Sequence, residues 1–130
     1  SKNAGFSTGQ PWLAVNPNYE AINVQEVLAN PDSIFYTYQK LVQIRKENSW
    51  LIRADFELLE TTDKVFAYIR KDGDRRFLVV ANLSNEKQNF SVVSVEGNVK
   101  SVLIENTLAQ EVFEKQILAP WDAFCVEMTD

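Results

Sequence analysis

The spacing of apolar side chains changes near residue 50 of the chain. Between residues 32 and 47 apolar side chains recur every three or four positions, which predicts an amphipathic α-helix capped by Asp32 or Ser33. The apolar stripe of this helix contains Ile34, Phe35, Tyr38, Leu41 and Val42. From residue 53 onward the apolar period is two, which predicts short β-strands. The chain therefore divides into a helical first part and an all-β second part.

The first part combines an irregular segment with one or two helices. Residues 1–21 hold Gly, Pro and Asn turn formers interspersed with large aromatic side chains, which predicts a loop. Residues 22–29 predict a short helix with Asn23 as its cap, and this helix must end before Pro31. Because one amphipathic helix and an aromatic loop cannot form a core, we expect this part to pack on a larger body.

The second part predicts seven strands. They fall near residues 54–60, 65–71, 76–83, 87–93, 98–105, 115–119 and 122–128. The Asp72-Gly73 pair between two apolar runs predicts a hairpin, and the run from Phe77 to Leu83 predicts a central strand with Val79 and Val80 on opposite faces. The fold class is therefore mainly β: an antiparallel Greek-key β-sandwich preceded by a loop and one or two helices.

Composition excludes several kinds of chemistry. With 45% apolar residues the chain holds enough apolar surface for a core, which excludes whole-chain disorder. The chain has no histidine, which excludes Ser-His-Asp and Cys-His catalysis and His-ligated metals. Its single cysteine, Cys125, excludes an internal disulfide, and we expect a buried apolar role for it. We therefore expect no metal site and no cofactor.

The charge of the chain bears on its partners and its location. A net charge of −5 disfavours nucleic acid, because the basic residues do not cluster. The longest apolar run is too short to span a membrane. The first residues lack the apolar segment of a signal peptide, and a free thiol suits a reducing compartment, so we expect a cytoplasmic location.

Two pairs of carboxylates raise the possibility of glycoside hydrolysis. That reaction needs two carboxyl groups roughly 5 to 9.5 Å apart across a glycosidic bond. Asp55 and Glu57 lie two residues apart, but we interpret them as the solvent-facing side of an edge strand. Asp72 and Asp74 flank Gly73, which is typical of a turn. We therefore assign no catalytic residue.

Aromatic side chains are the remaining candidates for substrate contact, since their faces suit sugar rings. Trp12 lies in the loop segment and is the single candidate for sugar binding. We expect Trp50 at the junction of helix and sheet, and Trp121 in the core. Core positions are also expected for the strand aromatics Phe56, Phe66, Tyr68, Phe77, Phe90 and Phe124.

Several short motifs, in order along nearly the whole chain, are those of a known family. They include Asn3–Ser7, Pro11-Trp12, Asn16–Tyr19, Ile22–Val24, Asn30–Phe35, Tyr38–Leu41, Leu78–Ser84 and Leu118–Ala123. The chain resembles the bacterial α-glucosidases of the α-amylase superfamily, of the oligo-1,6-glucosidase and dextran glucosidase (glucan 1,6-α-glucosidase) type. The alternatives are a fragment of a trehalose-6-phosphate hydrolase and a stand-alone carbohydrate-binding β-sandwich.

The resemblance implies a position for each part of the chain in a longer enzyme. Residues 1–50 would be the loop after strand eight and the last helix of a (β/α)8 catalytic barrel. Residues 51–130 would be the C-terminal β-sandwich domain. The catalytic carboxylates of such enzymes precede this stretch, so the resemblance implies a glycosidase parent that cleaves α-1,6 linkages at non-reducing ends, and a structural, non-catalytic fragment.

The same resemblance implies the partners. The partner of this chain would be the rest of the catalytic barrel, and oligosaccharide would be bound through the parent only. In the fragment alone, the helix stripe from Ile34 to Val42 would lack its barrel neighbour, so we expect weak self-association through it.

Overall fold

The computed structural model describes residues 2–91, 95 and 97–129. By contacts between residues the chain divides into two compact units, residues 1–43 and residues 44–130. The predicted boundary between residues 50 and 51 stays a prediction.

The first unit holds short helical elements joined by loops. Its helices are two 3-10 turns, Lys2–Gly5 and Pro17–Glu20, then α1 (Val24–Ala29) and the start of α2 (Ile34–Glu47). Asn23 caps α1 as predicted, because its side-chain oxygen accepts a hydrogen bond from the Glu26 amide at 3.0 Å. At the start of α2, the Ser33 hydroxyl donates to the Val27 carbonyl at 2.7 Å.

The second unit is built on an antiparallel sheet. Its strands are β1 (Asp55–Leu58), β2 (Val65–Asp72), β3 (Arg75–Asn82), β5 (Val99–Glu105) and β7 (Ala123–Met128). They pair in the order β1-β2-β3-β7-β5. The ribbon of β4 (Gln88–Asn89) and β6 (Ile117–Leu118) forms a second, two-stranded sheet, and the 3-10 turn Ser49–Ile52 precedes β1. A strand overlaps each predicted range. Residues 92 and 93 of the fourth range fall outside the described part of the chain.

The predicted hairpin and central strand are confirmed. Gly73 turns between β2 and β3 with a φ of +59°, which a residue without a Cβ adopts at no steric cost. The middle strand of the large sheet is β3. Val80 is fully buried in the core, whereas the adjacent Val79 lies on the opposite face of the sheet, as alternation requires.

The core lies on one face of the large sheet. The core includes Val65, Ala67 and Ile69 of β2. It also includes apolar side chains of β3 and β7 that lie on the same face of the sheet. The second layer contributes Phe90, Val95 and Leu118, together with Ala109 and Val112 of α3 (Ala109–Lys115). In the described part of the chain, a two-stranded ribbon and a helix therefore lie opposite the five-stranded sheet. The sequence did not predict α3. This helix has only seven residues, of which two are buried, so its helical spacing of apolar residues is too short to recognise.

Three aromatic predictions were wrong. Phe56 and Phe66 are 56% and 43% exposed, whereas Phe77, Phe90 and Phe124 are buried as expected. Successive residues of β2 are apolar on both faces, so the pattern could not select the inward face. Trp121, expected in the core, is 59% exposed and adopts a φ of +64° in the turn before β7.

Candidate functional site

The two carboxylate pairs lie on an edge strand and beside a turn. Asp55 and Glu57 lie on β1, every residue of which is exposed, and they pair in register with Lys71 and Ile69. Asp72 ends β2 next to the Gly73 turn. Both pairs therefore have the surface roles that the sequence indicated.

The carboxyl groups with shifted pKa values are unsuited to act as general acids. A hydrogen bond and charge attraction from Lys64 lower the pKa of Glu86, and a hydrogen bond from Lys100 at 2.8 Å lowers the pKa of Glu127. A glycosidase acid needs a raised pKa, so that it holds a proton at neutral pH. These two groups are stabilised in the charged form and serve as ion-pair partners.

Trp12 is displayed by a loop that asparagine side chains organise. The Asn3 amide donates to the carbonyls of Ser7 and Gly9 at 2.9 and 2.7 Å, and Asn16 caps the following 3-10 turn. The Trp12 ring is 90% exposed and lines an open hollow of about 1530 Å³ together with Phe6. Within the residues described, Trp12 is a displayed side chain, and its role as a sugar contact stays a prediction.

Trp50 has a structural position. Its indole packs edge-on against the ring of Phe77, with the ring centroids 4.8 Å apart and the planes at 75°. Arg70 fixes the same segment, because its Nη2 donates to the carbonyls of Leu51 and Ala54 at 2.7 Å each. The expected position of Trp50 at the junction with the sheet is therefore observed.

Cys125 is chemically inert in this fold. Its side chain is buried, and burial raises the pKa of the thiol to about 12. A thiol with that pKa is protonated at neutral pH and is no nucleophile. This agrees with the apolar role expected from the sequence.

Asn82 is an important residue whose structural role the sequence did not indicate. It is 1% exposed, and its amide donates to the carbonyls of Glu86 and Ala119 at 2.7 and 2.8 Å. Its side-chain oxygen accepts from the hydroxyl and the amide of Ser84. The Asn-Leu-Ser sequence at this position therefore serves as a buried connection between two turns. The sequence signal that points to such a role is a polar residue at the end of the apolar run Phe77–Ala81, because a polar side chain buried there needs hydrogen-bond partners.

The described part of the chain shows neither a group of metal ligands nor a membrane-spanning helix. No group of three or more His, Cys, Asp or Glu side chains among those residues is placed to hold a metal ion. None of the described helices is both long enough and apolar enough to cross a membrane.

The fold and the family models define the class of protein. Residues 56–124 match the model "Maltogenic Amylase, C-terminal domain", and residues 1–54 match "Alpha amylase, catalytic domain". The chain belongs to the maltogenic amylase C-terminal domain family. The resemblance to the α-amylase superfamily and the mainly antiparallel fold are thereby confirmed.

Within that class the chain is similar to α-glucosidases. It is 86% identical over 128 residues to a glucan 1,6-alpha-glucosidase of Streptococcus pneumoniae, and 50% identical over 127 residues to one of Streptococcus dysgalactiae. It is 36% identical over 132 residues to the oligo-1,6-glucosidase of Bacillus cereus. The alignments cover 96–98% of this chain. The chain spans 23% of the length of each of these relatives, so it corresponds to a part of such an enzyme.

Solved structures show the same fold across the chain. The trehalulose synthase of Pseudomonas mesoacidophila MX-45 matches with a TM-score of 0.86 at 32% identity, covering 99% of this chain and 24% of that one. The trehalose-6-phosphate hydrolase of Bacillus licheniformis matches with a TM-score of 0.84 at 31% identity, covering 100% and 24%. These neighbours differ in the reactions that their names state, so this part of the fold does not itself select a reaction.

Proposed function

We propose that this chain is the C-terminal part of a glucan 1,6-α-glucosidase, which hydrolyses α-1,6-glucosidic linkages at the non-reducing ends of glucans. The observation that carries the proposal is the 86% identity over 128 residues to an enzyme of that name. A trehalose-6-phosphate hydrolase of Escherichia coli is only 39% identical over 102 residues, which favours the α-1,6-glucosidase.

The chain itself has a structural function in this proposal. The carboxylates considered above are exposed on β1, placed at a turn or paired with lysines, and the two whose pKa values shift have them lowered. Most of its buried apolar side chains instead form one cluster on one face of the large sheet. The sheet domain would stabilise the catalytic barrel, which is the partner that we propose for it.

The test is a substrate comparison with the full-length protein that carries this chain. Purified protein is offered isomaltose, trehalose 6-phosphate and sucrose in parallel, with the 130-residue chain alone as the control. We expect glucose from isomaltose. Release of glucose 6-phosphate from trehalose 6-phosphate would favour the alternative hydrolase, and conversion of sucrose into an isomer would favour the synthases.

A second candidate function is carbohydrate binding by the sheet domain itself. It predicts exposed aromatic rings on a sheet face, and Phe56, Phe66 and Tyr68 lie on one face of the sheet. Neighbouring rings are tilted by 31° and 52° relative to each other, and the adjacent Leu58 offers no hydrogen bond to a sugar hydroxyl. The proposed structural function therefore fits better. Titrating the intrinsic fluorescence of the chain with dextran separates the two, since saturable quenching would favour binding.

We also propose a cytoplasmic location. The support is a buried thiol that has no other cysteine as a disulfide partner in this sequence. Fractionating cells that express the full-length protein tests this, with enzyme in the culture medium as the contrary result.

A further inference from the structure

The tip of the β2–β3 hairpin carries the single Asp-Gly pair of the sequence, Asp72-Gly73. Asp72 is the last residue of β2 and pairs with Arg75, the first residue of β3, so Gly73 and Asp74 alone form the turn. All four residues are exposed. Solvent therefore reaches the Asp72 carboxyl group and the backbone of the residue that follows it.

The space beside Gly73 is open. A Cβ on this glycine would meet no atom of the described residues within 4 Å, whereas one on Gly97 would lie 1.9 Å from the Thr129 carbonyl oxygen. Gly73 has a φ of +59°, a conformation that a residue with a side chain rarely adopts. Neither a side chain of its own nor a neighbouring residue therefore shields the Gly73 nitrogen from the carboxyl group of Asp72.

These two groups are the reactants of an intramolecular condensation. The Gly73 nitrogen attacks Cγ of Asp72 and loses its proton to solvent, while one carboxyl oxygen takes up protons and leaves as water. The product is a five-membered succinimide ring. One water molecule then opens the ring: attack at the Cγ carbonyl restores aspartate, and attack at the main-chain carbonyl leaves isoaspartate, whose peptide bond runs from Cγ. Water is released once and taken up once, and no oxidant or reductant takes part.

The other aspartates of the chain lack this combination. Each of the five that precede another residue is followed by one with a Cβ, which crowds the attacking nitrogen: Asp32, Asp55, Asp63, Asp74 and Asp122. The Asp122 carboxylate is also engaged, since its Oδ2 accepts a hydrogen bond from the Ala119 amide at 2.6 Å. Sequence and geometry thus single out Asp72.

The pairing of β2 with β3 sets the rate of the reaction. Asp72 is part of the strand, and closing the ring requires rotation about its Cα–C bond, which breaks the pair with Arg75. This pair is the last one before the turn, and the ends of elements open at a much lower free-energy cost than the core of a sheet. The reaction therefore proceeds from the folded domain with an opened hairpin tip and does not require the core to unfold.

We propose that Asp72 is a modification site, at which the chain slowly and spontaneously forms isoaspartate. The modification routes the backbone through the Asp72 side chain and lengthens it by one bond at the start of a two-residue turn. The register of a hairpin depends on the length of its turn, so the modified turn no longer matches the pairing of the two strands. Because β3 is the middle strand of the large sheet, the modification weakens the domain.

The test ages the 130-residue chain at neutral pH and physiological temperature for several weeks, while circular dichroism follows its folded signal. Peptide mass spectrometry with electron-transfer fragmentation then locates and quantifies isoaspartate. Asp63, an exposed aspartate in another turn that is followed by Lys64, is the internal control. We expect isoaspartate to accumulate at least about tenfold faster at Asp72 than at Asp63, because Lys64 carries a Cβ and Gly73 does not.

Two results of this experiment would overturn the proposal. One is an equal rate at the two aspartates, or no isoaspartate at Asp72. The other is isoaspartate that appears only in step with the loss of the folded signal, since the reaction would then require unfolding.

Two variants identify the reacting group. Asp72→Glu keeps the charge but needs a six-membered ring, which closes more slowly, so the hairpin peptide should show no modification at this residue. Asp72→Asn should convert faster than the parent, because ammonia leaves from an amide more readily than water leaves from an ionised carboxylate. A hairpin peptide modified equally in Asp72→Glu, or an Asp72→Asn chain that keeps its amide over the same period, would contradict attack by the Gly73 nitrogen.

The effect on stability is measured on the modified chain itself. The isoaspartate form is separated by ion-exchange chromatography, and its unfolding midpoint should lie about 4 °C or more below that of the unmodified chain. Treatment with an isoaspartyl methyltransferase and S-adenosylmethionine returns isoaspartate to aspartate and should restore the midpoint. An unchanged midpoint would overturn the proposed weakening of the hairpin. No readout uses glucosidase activity, so the outcome is independent of the proposed function.

Discussion

The indole of Trp50 packs edge-on against the ring of Phe77 at a centroid distance of 4.8 Å. Trp50 falls in the stretch that matches the α-amylase catalytic domain, and Phe77 falls in the stretch that matches the C-terminal domain. The contact therefore joins the end of one domain to the sheet of the next. Edge-to-face ring pairs contribute about 0.5–1.5 kcal/mol beyond their buried area, so this pair holds residue 50 on the sheet.

The chain alone should hydrolyse no glucoside. The family resemblance places the catalytic carboxylates upstream of this stretch, and the carboxyl pKa values that shift, those of Glu86 and Glu127, are lowered. A purified preparation incubated with isomaltose and with p-nitrophenyl α-glucoside should therefore release neither glucose nor p-nitrophenol above a blank. Turnover that follows the protein through purification would show that this interpretation is wrong.

Val80→Asp should unfold the sheet domain. Val80 is fully buried in the middle strand, and an unpaired buried charge costs several kcal/mol, a large share of the stability of a small domain. Circular dichroism should show the thermal transition lost or shifted far down. Leu83→Asp, at a position that is 62% exposed, is the matched control and should melt close to the parent. A Val80→Asp transition as high as that of the control would contradict the central position of β3.

Gly97→Ala should destabilise more than Gly73→Ala. Both glycines have positive φ values, +97° and +59°, so both substitutions strain the backbone. A Cβ on Gly97 would also lie 1.9 Å from the Thr129 carbonyl oxygen, whereas a Cβ on Gly73 meets no atom within 4 Å. We expect about 1–2 kcal/mol for Gly73→Ala and at least about 2 kcal/mol more for Gly97→Ala. Urea unfolding of both variants measures the difference, and equal losses would exclude the steric clash.

The Lys100–Glu127 pair should make stability depend on acid pH. The hydrogen bond from Lys100 lowers the folded-state pKa of Glu127 below its ordinary value of 4.5. A lowered folded-state pKa contributes stability above the unfolded-state pKa, and that stability is lost as the pH falls through the folded-state value.

Glu127→Gln isolates this contribution. The parent should lose more stability than the variant between about pH 5 and pH 3, by less than about 1 kcal/mol because Lys100 is well exposed. Urea unfolding at several pH values measures the two curves. Parallel curves for the two proteins would show that the pair contributes nothing.

The chain alone should self-associate weakly through the α2 stripe. Ile34, Phe35, Tyr38, Leu41 and Val42 are each at least 41% exposed. Burying an aliphatic or aromatic side chain contributes about 1.5–3 kcal/mol, so several together offset the cost of association and give a Kd of roughly micromolar at best. Sedimentation at rising concentration measures this.

The control for self-association is a pair of charges on the same stripe. Phe35→Glu with Leu41→Glu should give a monomer whose sheet domain melts as before. A parent chain that stays monomeric at high concentration would contradict this prediction.

The local elements of the fold could be predicted from the sequence. The change of apolar period near residue 50, the Asn23 cap and the Asp72-Gly73 hairpin depend on neighbours within a few residues, so they appear in the pattern directly. Short motifs also identified the family.

Only the tertiary structure decided which apolar side chains are buried. In β2 the run from Val65 to Ile69 is apolar at every position. Val65, Ala67 and Ile69 are the buried ones, because their face of the sheet packs against the second layer. Because side chains alternate along a strand, Phe66 and Tyr68 lie on the other face of the sheet. Likewise α3 completes the second layer, and the left-handed turn at Trp121 leaves that ring exposed. The alternation of a strand fixes which residues share a face, but only contact with another layer determines which face is buried.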